Sequence, residues 1–360
     1  MLKELLYPLV KYFTPFNIFQ YITFRAAYAA VTALLISFVL GPMVIDWLRR
    51  LKAGEEVRED GPSTHRAKSG TPTMGGTFII FSILISVLLW QDLRNPYTWI
   101  ILLSVVGFGL LGFVDDYLKV FKKNRTGLRA GVKFIGQIVL SLLILFFIVR
   151  QGNEYTTLLY IPFFKNPVLD LSYWYIPFAV IFIVGYSNAV NLTDGLDGLA
   201  TGLVIMVGLA VAVFAYLSGR VDFSEYLQIP YLPGSGELAV FATALVGASI
   251  GFLWFNAHPA EVMMGDTGSL SLGGTLAVLG ILLKKEILLL IVGGVFVVET
   301  ASVILQVLSY KLRGGKRIFR MAPLHHHFEL SGWPESKVVI RMWILGGLFA
   351  IIGLSTLKIQ

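Results

Sequence analysis

Long apolar runs that charge scarcely interrupts constrain this chain more than any other feature. A bilayer core about 30 Å thick takes about 20 apolar residues as a helix. Runs of that order lie at 22–47, 73–90, 97–117, 132–150, 170–189, 197–217, 237–255, 264–283, 287–308 and 338–357. They predict an all-α integral membrane protein of about ten transmembrane helices, with 1–360 as one polytopic membrane domain. Composition agrees: 56% of the 360 residues are apolar, 14% are charged, and mean hydropathy is +0.74. A soluble domain carries about a quarter charged residues. The 36 glycines suit close helix packing in lipid. The absence of cysteine excludes thiolate catalysis and Cys-ligated metals.

Lys and Arg set the expected orientation. They crowd the loops after the first, third and ninth runs, as with Arg49, Arg50, Lys52, Arg58, Arg66 and Lys68, then Lys119, Lys122, Lys123, Arg125 and Arg129, then Lys311, Arg313, Lys316, Arg317 and Arg320. By the positive-inside rule these loops, at 48–71, 118–131 and 310–337, are cytoplasmic. An even number of spans then leaves both termini periplasmic. The first 20 residues lack the basic start and apolar core of a cleavable signal peptide. They read as a short amphipathic segment at the membrane surface. The net charge of +7, dispersed among spans, fits topology and anionic ligands better than nucleic acid.

The same cytoplasmic loops hold the unusual polar chemistry, so the expected site is at the cytoplasmic face. Asp115 and Asp116 end the third run, where acids are costly unless they bind a cation or face water. Neighbours on a helix point about 100° apart, so the two should do different jobs. Asn188, Asn191, Asp194 and Asp197 are spaced by three, and share a face only if Gly195 and Gly198 break the helix. This loop has acids and no basic residue, which a bound cation would remedy. Asp266 opens the eighth run beside Thr267, as a helix cap or a metal-binding carboxylate. His325, His326 and His327 follow a basic stretch and point three ways, which suits phosphate or sugar contacts better than one tetrahedral zinc. Lys68 enters a Gly-rich stretch that matches neither a Walker loop nor a dinucleotide fingerprint. Asn256, at the end of the seventh run, joins the substrate-binding candidates. Oxygen donors without thiols favour Mg²⁺ or Mn²⁺. Acids, bases and glycines on one membrane side indicate phosphoryl chemistry on a cytoplasmic substrate with a membrane-embedded acceptor. A secondary transporter would instead place its acids mid-span and show paired halves.

Five motifs carry a family resemblance over essentially the whole chain: GTPTMGG at 70–76, FVDDY at 113–117, NAVNLTDGLDGL at 188–199, MGDTGSL at 264–270 and APLHHHFE at 322–329. Here the chain resembles the phospho-N-acetylmuramoyl-pentapeptide transferases, within the polyprenyl-phosphate N-acetylhexosamine-1-phosphate transferase superfamily. The resemblance implies UDP-N-acetylmuramoyl-pentapeptide as donor, undecaprenyl phosphate as acceptor, UMP as second product, Mg²⁺, a homodimer and the bacterial inner membrane. It implies that Asp266 is a magnesium ligand, supported by Asp116 or Asp194, and that Asp115 and Asp116 are the catalytic acidic pair. Asn191, Asp194 and Asp197 match the loop lining the nucleotide site, Asp197 and Lys68 match nucleoside contacts, and His325 and His326 match the donor-side motif. Met263 departs from the aromatic residue some relatives place near the uracil. A sister transferase using UDP-N-acetylglucosamine is the alternative, and the His loop argues against it.

Overall fold

A computed structural model describes residues 1–51, 70–122, 127–152, 154–162, 164 and 168–358. The chain opens with α1 (Leu2–Leu6) and two 3₁₀ turns, Tyr7–Lys11 and Thr14–Gln20. Tyr12 and Phe13 stand exposed there, as an amphipathic surface segment requires. Helices α2 (Ile22–Arg50), α3 (Gly76–Trp90), α4 (Pro96–Val120) and α5 (Ala130–Arg150) follow. After a two-stranded antiparallel hairpin, Leu158–Leu159 with Leu169–Asp170, come α6 (Tyr175–Thr193), α7 (Leu199–Ser218), the short α8 (Val221–Leu227) and α9 (Glu237–Asn256). The chain ends with α10 (Gly265–Leu282), α11 (Glu286–Val292), α12 (Gly294–Leu312), α13 (Leu324–Glu329) and α14 (Glu335–Ser355).

Among the described residues, eight helices are long and apolar enough to cross a membrane. The predicted runs at 73–90 and 264–283 are also helical, but as the 15-residue α3 and the 18-residue α10. The run at 287–308 is broken at Gly293 into α11 and α12. The outward helices follow lipid physics. The apolar Ile135, Val139 and Phe146 of α5 face outward, while Gln137 and Ser141 are buried.

The core sits on α10, buried at every residue from Asp266 to Leu282. It packs along α4 and α6 and touches α3, while α9 lies between α2 and α7. Small residues make this possible. A Cβ at Gly112 of α4 would collide with the Asp266 carbonyl, and one at Gly76 of α3 with the backbone of Gly268. Two helix ends are thereby drawn onto the first turn of α10, and this positions the site. The opposite end is tied by a buried ion pair. Arg25 of α2 reaches Glu237 of α9 through two contacts of 2.5 and 2.6 Å and donates to the Trp90 carbonyl at the end of α3. Glu237 also accepts the Asp92 amide.

Candidate functional site

The two acids of α4 take different partners. Asp116 turns to α10: its Oδ1 accepts the Asp266 amide at 3.1 Å, and its Oδ2 accepts the Thr267 amide at 2.8 Å and the Thr267 hydroxyl at 2.6 Å. The orphan N–H groups at a helix start normally take a cap from the preceding residue. Met264 provides none, so α4 caps α10 from outside. Asp266 is thus released from capping. Its Oδ2 instead accepts Lys119 Nζ at 2.9 Å and Lys133 Nζ at 2.8 Å. Asp115 completes the cluster, with Lys119 Nζ 2.7 Å from its Oδ2 and the Leu128 amide donated to its Oδ1 at 2.8 Å.

Asp115, Asp116 and Asp266 can each offer an oxygen, all within 4.8 Å of one another. Three hard oxygen donors without sulfur suit a divalent cation of the magnesium type better than zinc. Unlike the loop at 188–198, these acids have basic residues beside them, because Lys119 and Lys133 already sit against Asp266. The cluster is mixed, three carboxylates with two ammonium groups, and suits a metal and several phosphate oxygens together.

The polar row of α6 meets this cluster from the side. The helix breaks where its glycines stand: α6 stops at Thr193, and α7 starts after Gly198, whose φ of 75° is left-handed and favours glycine. Asn191 Oδ1 accepts the Ser269 hydroxyl of α10 at 3.1 Å. Asp194 ends α6 at the break and is not among the residues that could share an ion with Asp266. Asn188 lies a turn deeper and donates to Gln137 of α5 at 2.9 Å. Asp197 accepts the Ala260 amide at 3.1 Å, and its Oδ2 is 3.0 Å from His258 Nδ1, while its amide donates to Glu335 of α14. Asp197, His258 and Glu335 form a second group that could hold an ion. Asn256 accepts from Gly198 N and Thr201 and donates to the Val262 carbonyl, pinning the loop before α10 to the turn before α7. That loop also pairs with the Gly-rich stretch: Gly75 N donates to the Met263 carbonyl, and Met263 N to the Pro72 carbonyl.

The three histidines diverge as expected. His325 Nδ1 faces Glu299 of α12 at 3.2 Å, His326 Nδ1 faces Glu329 at 2.8 Å, and His327 Nδ1 accepts the Arg320 amide at 3.1 Å. His325 reaches the α6–α7 turn, since a Cβ on Gly195 would meet its Nε2. The ends of α4, α6 and α9, the starts of α7, α10 and α14, and Glu299 in the first half of α12 therefore converge at one end of the bundle. Lys68 lies outside the described residues.

This arrangement has relatives. Residues 98–284 match Glycosyl transferase family 4, and residues 68–80 match the phospho-N-acetylmuramoyl-pentapeptide-transferase signature 1. A phospho-N-acetylmuramoyl-pentapeptide-transferase of Nitratidesulfovibrio vulgaris (strain DP4) is 57% identical over 360 residues, all of both chains. Proteins of the same name from Thermodesulfovibrio yellowstonii and Oleidesulfovibrio alaskensis are 54% and 53% identical, again over all of both chains. The chain belongs to the phospho-N-acetylmuramoyl-pentapeptide transferase family. The stretch matching the transferase signature includes Pro72, Gly75 and Gly76, through which α3 docks on the loop before α10 and on α10 itself.

Sequence reasoning missed Lys133, His258, Glu299 and Glu335. For Lys133 and Glu299 a signal was present. Each lies in or beside an apolar run, and an ionisable residue there is a functional candidate by default. His258 and Glu335 sit in polar loops or at helix starts, where nothing singles them out until the fold joins them to Asp197.

Proposed function

We propose that the chain transfers phospho-N-acetylmuramoyl-pentapeptide from its UDP carrier to undecaprenyl phosphate, releasing UMP, at the cytoplasmic face of a bacterial inner membrane. The observation that carries this reading is the convergence of Asp115, Asp116, Asp266, Lys119 and Lys133 with the Asp194–Asp197 turn and the His loop, in a chain whose relatives of that name match it from end to end. Those names favour this donor over UDP-N-acetylglucosamine.

The chemistry follows from charge. A phosphate monoester has a second pKa of about 6 and is mostly dianionic near neutral pH. It needs little help from a base. One acceptor oxygen forms a bond to the donor's β-phosphorus, and the bond from that phosphorus to the oxygen of UMP breaks. One phosphoanhydride replaces another. The task is to bring two polyanions together and hold them in line. Lys119 and Lys133 would bind phosphate oxygens, Asp115 would orient Lys119 and the lipid phosphate, and Asp116 would hold the start of α10. Asp266, with Asp115 beside it, would hold Mg²⁺, whose contribution when bound is to neutralise charge on the transferring phosphoryl group. Asp194, Asp197, Asn191, Asn256 and Lys68 would serve the nucleotide, and His325 to His327 the donor sugar or phosphate. We take the protein as a ten-span homodimer with both termini periplasmic.

The test is purified full-length chain with labelled donor, undecaprenyl phosphate and Mg²⁺. Lipid-linked product and UMP should appear in equal amounts. Rigorous chelation should abolish turnover, and Mg²⁺ or Mn²⁺ should restore it while Zn²⁺ should not. Full turnover after chelation would remove the metal assignment.

A further inference from the structure

Glu299 has no role in the chemistry described so far, yet it is a carboxylate buried within the apolar helix α12. Such a group is costly to keep there unless it is paired. Its partner is His325: Oε2 is 3.2 Å from Nδ1 and also lies 3.4 Å from the His325 amide. The ring is fully buried and has few alternatives. A carboxylate can only accept, so Nδ1 carries the proton. Nε2 is left as the outward atom of the ring. It is buried, has no hydrogen-bond partner among the described residues, and is aimed at Gly195 in the turn between Asp194 and Asp197. A side chain at position 195 would collide with this nitrogen, so glycine lets the turn pass close over it.

We propose that Glu299 is a positioning residue. It fixes His325 with Nδ1 protonated and Nε2 directed at the donor's sugar phosphate beside the Asp194–Asp197 turn. The inference rests on the transferase reading above. It adds a residue outside the polar loops, on a membrane helix, that sets which nitrogen the histidine presents. Metal-site histidines are oriented in the same way by a carboxylate behind the ring, and losing that carboxylate typically costs about 10- to 100-fold.

The experiment uses the full-length chain in detergent. Glu299→Leu should lower kcat/KM for the UDP-linked donor by about 10- to 100-fold and leave the KM for undecaprenyl phosphate within about twofold, since the ring faces the donor side. In a His325→Asn background the same change should cost less than about threefold more, because both changes remove one interaction. With ¹⁵N-labelled histidine, the ring signal that vanishes in His325→Asn should show a protonated Nδ1 in the native chain and shift toward the other tautomer in Glu299→Leu. Glu299→Gln keeps an acceptor at the same place. It should retain the protonated Nδ1 and exceed Glu299→Leu in kcat/KM, and it carries the spectroscopic test if Glu299→Leu does not fold. Additive losses in the double variant, an unchanged ring signal in Glu299→Leu, or a Gln variant that loses the Nδ1 proton would each overturn the proposal. A native chain that makes no lipid-linked product would defeat the transferase reading. An active native chain indifferent to Glu299 would defeat only this inference.

Discussion

Asp115 and Asp116 divide their work by direction, one side chain toward the lysines and the other onto the start of α10. That division separates two kinds of loss. Asp116→Ala leaves two buried amides and a hydroxyl without their acceptor, each worth about 1–3 kcal/mol when orphaned. Thermal unfolding in detergent should move to clearly lower temperature, and Asp116→Asn, which keeps one acceptor oxygen, should recover part of it. An Asp116→Ala chain as stable as the native one would show that the α10 terminus has another cap. Asp266→Asn tests charge instead. It keeps size and hydrogen bonding but frees both lysines from their shared anion. Turnover should fall by about 10²-fold or more, as when one electrostatic group of an active site is lost, in a chain that still inserts and folds. A near-normal rate would reduce Asp266 to a brace for Lys119 and Lys133. That the two α4 acids point different ways was legible in the sequence, because neighbours on a helix stand about 100° apart. The identity of the caps was not. That Asp116 rather than Thr267 or Asp266 caps α10 depends on the start of α10 packing on Gly112 of α4, a contact between residues more than 150 positions apart.

Helices were the most legible elements, since apolar runs in lipid have to satisfy their own backbone. Their ends were legible where glycine stands, as at Gly195 and Gly198. Where helix ends are set by long-range contacts they were not: Gly293 breaks the ninth run, and only the fold shows that a Cβ there would meet the Tyr186 hydroxyl. The Arg25–Glu237 pair was also hidden, because an arginine one turn into α2 reads as an interfacial anchor until α9 brings its partner. It joins α2, α3 and α9 at the end away from the acids. Removing one member of a buried pair leaves an uncompensated charge and costs about 3–5 kcal/mol, whereas apolar replacement of both is often close to neutral. Glu237→Leu should therefore lower the unfolding temperature strongly, and Arg25→Met with Glu237→Leu should restore most of it. Donor turnover below the unfolding temperature should change little in either. A single variant no less stable than the native chain would show that Trp90 and Asp92, not the ion pair, hold these three helices.

At the scale of the molecule, orientation ties the site to its substrates. The structure gives the bias of Lys and Arg a different weighting. Lys119 is held by Asp115 and Asp266 and serves the cluster before it serves topology. At the far end Lys284 and Lys285 are buried, and Lys284 is paired with Glu286 at 2.8 Å, so neither acts as an exposed loop charge. The exposed Lys311, Arg313, Lys316, Arg317 and Arg320 stand at the end that holds the acids, against the exposed Arg94, Arg150 and Arg220 at the other. Short cytoplasmic loops carry such excess, so this end should face the cytoplasm, where a soluble nucleotide donor is found. The absence of cysteine makes the test clean. Lys316 is exposed beyond α12 at the acidic end, and Asp222 is exposed in α8 at the other. In intact cells an impermeant thiol reagent should label Asp222→Cys and leave Lys316→Cys untouched until the membrane is opened. Both variants should retain donor turnover, because neither side chain reaches the cluster. Labelling of Lys316→Cys in intact cells with Asp222→Cys protected would invert the molecule, and with it the claim that the donor arrives from the cytoplasm.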